Sequence, residues 1–169
     1  MSGSEQSNVI WFLVDQWRGQ ALGFGGDPNV RTPNVDVLAA MGVTFTHAVS
    51  GCPICSPFRG ALLTGRYPHH NGVLINECRM NPELPTIATV FNGHGYRTAY
   101  FGKWHVDAPL LDPDARRVGV TGWVPPERRG GFETWLGYEN VMNPEESWVY
   151  GHDEDGHETE PHVMDGWDA

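Results

Sequence analysis

Cysteine is scarce in this chain. Its three copies, Cys52, Cys55 and Cys78, cannot all pair within one molecule, which excludes a dense disulfide framework and makes a reducing cytoplasm the expected compartment. No stretch approaches the roughly 20 apolar residues of a membrane span. Residues 1–7 carry no Lys or Arg ahead of the short apolar run at 8–14, so neither a spanning helix nor a signal peptide is expected. Basic residues are few as well: 11 Lys and Arg face 21 Asp and Glu, and a net charge of −10 argues against nucleic acid or an anionic membrane as the main partner. An anionic substrate would need a local cationic pocket. Repeats and heptads are absent. What remains is a globular composition, 40% hydrophobic and 11% aromatic over 169 residues, enough for one domain with a real core.

The order of elements is α/β. Residues 8–14 form a continuous apolar run ending in Asp15, the pattern of a strand buried on both faces, with its functional residue at the carboxyl end. Thr32 offers an N-cap and Pro33 suits the first turn of a helix. Val35, Leu38 and Ala39 share one face of that helix before Gly42 stops it. Residues 43–49 read as the next strand. A second helix begins near Cys55 to Pro57 and stops at Gly65, with Leu62 and Leu63 buried, which sets Cys55 at a helix N-terminus, where free N–H groups and the dipole favour an anion. Pro85 to Asn92 predicts a third helix, and residues 97–101 a strand leading into Gly102-Lys103-Trp104-His105.

From residue 107 the character changes, with Pro109, Pro113, Pro125, Pro126 and several glycines breaking any long period, so 107–169 is expected to be loop-rich cover. The acidic, His-containing tail reads as a solvated loop rather than a metal site, and Asp153-Glu154-Asp155-Gly156 lacks EF-hand spacing. The chain ends without a terminal element, the expectation being an N-terminal part of a longer domain behind a flexible 1–7.

The densest chemical signal is Cys55-Ser56-Pro57-Phe58-Arg59-Gly60-Ala61-Leu62-Leu63-Thr64-Gly65-Arg66. With residues 8–16, Thr32-Pro33-Asn34-Val35-Asp36 and residues 95–105, ending Gly102-Lys103-Trp104-His105, it falls in an order that resembles the sulfatase family of the alkaline-phosphatase-like superfamily. Residues 129–137 form a weaker fifth block. The resemblance implies a mostly parallel sheet flanked by helices and the hydrolysis of a sulfate ester, carried by a small molecule or a carbohydrate. It also implies that Cys55 is the precursor of a formylglycine made by a formylglycine-generating or sulfatase-maturing enzyme. One hydroxyl of the hydrated aldehyde attacks sulfur and the other later expels sulfate, so covalent catalysis splits one hard step into two.

The same resemblance distributes the other roles. Asp15 matches a metal ligand, and Gln16 stands where many members have a second Asp; with the residue made from Cys55 they would bind calcium, with magnesium or manganese as alternatives. The Gln departs from the pattern and removes one negative charge. Arg59, one helical turn from Cys55, matches the arginine that holds the modified residue. Lys103 would bind a sulfate oxygen, and His105, on the same side of an extended segment, would orient and deprotonate the second hydroxyl. Members supply further ligands downstream, so this chain alone is expected to hold about half a site and to be inactive.

Rival readings remain. Phosphonate or phosphate ester hydrolases use the same modified cysteine, and a truncated, non-catalytic domain would bind anions or nothing. Cys52 and Cys55 also have the C-x-x-C spacing of zinc and thiol-redox modules, although no second matched ligand pair accompanies them. Trp123, Trp135 and Trp148 could stack on a sugar ring, with core packing or loop cover the plainer assignment.

Overall fold

The computed structural model describes residues 6–108, 122–140, 147–153 and 155–164. The chain divides into two compact units, Met1–Val49 and Ser50–Ala169.

In the first unit, α1 (Pro33–Met41) starts and stops where its signals predict, between Thr32 and Gly42. Thr32 does not cap the helix through its side chain. Its Oγ1 instead accepts from the Gly23 amide at 2.8 Å and donates to Asp36 Oδ1 at 2.7 Å, while the Phe24 amide donates to the same carboxylate at 3.0 Å. These bonds staple the preceding turn onto the helix. The two strands expected here are not formed among the described residues: 8–14 and 43–49 pair with nothing, and Ile10, Phe12 and Val49 are 77%, 84% and 90% exposed. The physical reason is that an apolar run becomes a strand only when a neighbour accepts and donates its ladder of hydrogen bonds, and this unit supplies none. No residue of α1 is fully buried either: on its apolar face Val35 and Ala39 are half-buried and Leu38 is exposed.

The second unit carries the core. Its first helix, α2 (Cys55–Thr64), ends at Gly65, whose left-handed φ of 64° lets its amide close the last turn on the Ala61 carbonyl. Leu63 is buried as the pattern predicts, whereas Leu62, expected to be buried too, is half-buried. Close packing is possible because Gly60 lacks a side chain: a Cβ there would lie 3.0 Å from Val73 Cγ2. One further turn, α3 (Pro68–Asn71), contains His69 and His70. Next, α4 (Ile87–Gly93) begins two residues later than Pro85 suggests because Thr86 and Thr89 form a reciprocal capping box, Thr86 Oγ1 accepting from the Thr89 amide and Thr89 Oγ1 from the Thr86 amide.

Four strands complete the unit: β1 (Ala99–Lys103), β2 (Thr134–Tyr138), β3 (Ser147–His152) and β4 (Glu158–Met164), side by side in that order. Only β1 and β2 are parallel; β2–β3 and β3–β4 are antiparallel. The α/β architecture is as expected, but the sheet in the described residues is mixed. Three of its strands come from the segment that had read as loop-rich cover. Its punctuation survives in the 3₁₀ turn Pro126–Arg128, while Pro109 and Pro113 lie outside the described residues.

Trp104 and Trp135 are fully buried and meet edge to face at 6.1 Å, with Tyr100 and Phe132 packed around them. Leu63, Val73, Cys78, Met80, Val106 and Val124 join the same cluster. Truncating either tryptophan to Ala would cost about 3–5 kcal/mol. Trp135 is thus core; Trp123 is exposed, and the side chain of Trp148 lies outside the described residues. Arg129, also buried, lies 4.8 Å over the Trp135 ring and donates to the Val124 carbonyl at 2.9 Å, with Glu158 Oε1 2.7 Å and His152 Nδ1 2.8 Å from its guanidinium. One cation thereby ties β2, β3 and β4 to the turn before them.

Candidate active site

Helix α2 presents Cys55 at its first position, half-buried, and buries Arg59 one turn later. The free donors of that first turn are not all open to an anion: the Ser56 amide donates to Asn76 Oδ1 at 3.0 Å, a side-chain cap from another segment. The Arg59 guanidinium donates to the Lys103 carbonyl at 2.5 Å and to the Tyr100 hydroxyl at 3.3 Å. Tyr100 donates its own hydroxyl to the same carbonyl. Arg59 and Tyr100 together fasten the cysteine helix to the end of β1. Burial pushes the Tyr100 hydroxyl up to about 12 against the opposing pull of Arg59, so it remains a donor throughout the physiological range.

The end of β1 brings Lys103 and His105 into the same unit as Cys55 and Arg59. Lys103 is half-buried, whereas His105 is 3% exposed. His105 also has a left-handed backbone, φ 58°, unusual for a residue with a Cβ. Its Nε2 lies 3.2 Å from Glu77 Oε1, while its Nδ1 is buried and meets no hydrogen-bond partner. Burial lowers the affinity of the ring for a second proton, with Glu77 opposing that shift and Lys103 and Arg59 adding to it. The residues of positive φ other than glycine, among those described, are Gln16, Glu77 and His105. All three are at candidate site positions or in contact with one, the usual location of stored backbone strain.

Paired acids and bases hold the turn that carries His105. Met80 donates its amide to the Val106 carbonyl at 2.8 Å, and the side chains of Arg79 and Arg128 both pair with Asp107. The Asp107 amide donates to Glu139 Oε1 at 2.9 Å; Glu139 Oε2 is buried without a partner. Burial pushes the Glu139 carboxyl up to about 7, with the charges of Asp107 and Glu77 acting in the same direction and hydrogen bonds from the Asp107 and Val106 backbone opposing it. Asp107 is raised by burial as well, and Arg128 and Arg79 pull it back.

Asp15 and Gln16 belong to the first unit and are both exposed, at a turn where Gln16 has φ 47°. One carboxylate and one amide oxygen are hard donors suited to a hard cation. Asp153, Asp155 and His157 also gather within ligand distance of one another, at the exposed turn between β3 and β4. That turn is explained by hydrogen bonds: Asp153 Oδ1 accepts from the amides of Asp155 and His157.

Sequence reasoning assigned no role to Asn76, Glu77, Tyr100 or Glu139. Tyr100 sits inside a quoted motif and could have been read as facing Arg59. The other three reach the site through tertiary contacts that leave no periodic signal.

Residues 7–157 match the family model described as Sulfatase. An ulvan-active sulfatase of Formosa agariphila is 47% identical over 132 residues, covering 78% of this chain and 24% of that protein. An endo-4-O-sulfatase of Bacteroides thetaiotaomicron is 38% identical over 161 residues, covering 80% of this chain and 32% of the relative. Among solved structures, the sulfatase yidJ of Bacteroides fragilis superimposes with a TM-score of 0.75 at 31% identity, over 90% of this chain and 35% of that one. The chain thus spans about a quarter to a third of the length of these two relatives. Since the match runs through the cysteine helix and the Lys103–His105 turn, and the fold agrees over nearly the whole chain, the chain belongs to the sulfatase family.

Proposed function

We propose that this chain is part of a sulfuric ester hydrolase in which Cys55, oxidised to formylglycine by a maturing enzyme, is the nucleophile. The observation that carries this reading is the bond from Arg59 to the Lys103 carbonyl, which fixes the helix bearing Cys55 against the strand end bearing Lys103 and His105. In a chain of net charge −10, that junction concentrates two cations, Arg59 and Lys103, where a sulfate monoester would need them. Lys103 would bind a sulfate oxygen, and neutral His105 would take a proton from a hydroxyl of the modified residue. Arg59 would hold that residue in register. The ulvan-active sulfatase and endo-4-O-sulfatase relatives support an O-sulfate on a carbohydrate as the substrate class.

Asp15 and Gln16 would supply hard oxygens to a divalent cation, calcium by preference and magnesium or manganese as substitutes, and the oxygen made at Cys55 is the third donor that the family resemblance names. That cation would neutralise sulfate oxygens and lower the pKa of the attacking hydroxyl. Three oxygens are fewer than the six to eight that calcium takes, so it needs donors beyond these. The decisive test is mass spectrometry of the peptide spanning residue 55, on protein made in its native host. Conversion of the thiol to an aldehyde or its hydrate is expected. An unmodified Cys55, in a host that converts other sulfatases, would refute the mechanism. Comparing sulfate with phosphate ester turnover in the complete enzyme then separates this reading from a phosphohydrolase.

A further inference from the structure

The His105 ring has two nitrogens in very different situations. Nε2 faces a carboxylate oxygen at 3.2 Å, and Nδ1 is buried with no partner. An ionised carboxylate can only accept, so the nitrogen that faces it carries the hydrogen and the other keeps its lone pair. The contact is not a chance meeting of two surface side chains. The Glu77 side chain is 64% exposed, but His105 is buried, and both residues hold left-handed backbone, Glu77 at φ 62° and His105 at φ 58°, a conformation that residues with a Cβ rarely adopt. Neighbouring segments lock that geometry: Asn76, next to Glu77, caps α2 through the Ser56 amide, and Arg79 forms a bridge with Asp107, two residues past His105.

We propose that Glu77 is a positioning residue: it fixes His105 in the tautomer with hydrogen on Nε2, so that Nδ1 is the nitrogen that serves as base. The proposal rests on the reading above, in which His105 takes a proton from the nucleophile's hydroxyl. It adds which nitrogen does so and which residue decides it. The charged groups acting on the ring are Glu77, Lys103 and Arg59; of these only Glu77 can accept a hydrogen bond from it. The lowered proton affinity of the ring is consistent with this, because a neutral imidazole is the form in which a tautomer must be chosen.

The test is nitrogen-15 NMR of the histidine rings in the full chain, comparing the parent with Glu77→Gln and Glu77→Ala. The expected result is that His105 of the parent shows a protonated Nε2 and a bare Nδ1. Glu77→Gln keeps this pattern, since its amide oxygen still accepts, and Glu77→Ala mixes the tautomers or moves the hydrogen to Nδ1. A parent His105 protonated on Nδ1 would overturn the proposal without any variant, and so would an unchanged tautomer in Glu77→Ala. In the complete enzyme Glu77→Ala should lower kcat by about ten- to a hundredfold with KM little changed, and Glu77→Gln should recover most of the loss. Equal loss in both variants would refute the positioning role. If the tautomer is as proposed but Cys55 is unmodified, the sulfatase reading fails and the Glu77–His105 assignment stands.

Discussion

Glu139 should make the fold less stable as pH rises through neutrality. The residue is 6% exposed, one carboxyl oxygen accepts the Asp107 amide and the other has no partner, and burial moves the carboxyl from an ordinary 4.5 up to about 7. A group whose folded pKa is raised binds its proton more tightly in the native state. Its contribution is therefore complete below about 4.5 and is lost as pH climbs through about 7. A shift of this size corresponds to about 3 kcal/mol, at 1.36 kcal/mol per unit. Glu139→Gln is the clean perturbation because its amide oxygen can still accept from Asp107, while nothing in it ionises. Urea denaturation of both proteins from pH 5 to pH 8 measures the difference directly. Asp107 and His105 titrate in both and largely cancel. The variant should gain on the parent as pH rises, by about 2.5 kcal/mol between pH 5 and pH 8. A gap that stays constant over this range would refute the reasoning and show that Glu139 ionises like an exposed carboxyl.

Other perturbations test the framework of the site. Thr86→Ala removes both the capping box with Thr89 and the 2.5 Å bond to the Gly130 carbonyl, and should cost about 1–2 kcal/mol in chemical denaturation, with Thr86→Ser recovering most of it. Full stability in Thr86→Ala would show that the cap is dispensable. Arg59→Lys keeps the charge but loses the planar Nη1 that donates to both the Lys103 carbonyl and the Tyr100 hydroxyl, and should cost about 1–3 kcal/mol. In the complete enzyme the same change should reduce sulfate ester turnover strongly; turnover within twofold of the parent would remove Arg59 from the site.

The parts of this architecture that were legible are those whose signals are local. Helix α2 announces itself through Pro57 in its first turn and Gly65 at its left-handed end, and Arg59 follows Cys55 by one helical turn wherever that helix packs. Lys103 is the last residue of a five-residue strand and His105 comes two residues after it, so their placement at its carboxyl end could be read from the chain itself. The run at 8–14 was equally visible as an apolar segment. What it pairs with is a property of other residues, and among those described no ladder partner is present, so the same pattern stands exposed. The mixed sheet was hidden for a related reason: Pro- and Gly-rich punctuation at 109–131 masks the strands that follow it.

The residues that tune the chemistry come from farther away. Glu77 meets His105 across 28 positions and Glu139 meets the Asp107 amide across 32. Neither separation carries a helical or strand period, and a left-handed Glu looks like any other Glu in a sequence. Spacing therefore suffices to bring Cys55, Arg59, Lys103 and His105 to notice as a group. The tautomer of His105 and the protonation of Glu139 are set by contacts that exist only once Trp104 and Val106 are buried and the 76–80 and 137–139 segments close around the turn between them. A substitution at Glu77 or Glu139 should consequently change how the site behaves with pH while leaving every recognisable motif of the family intact.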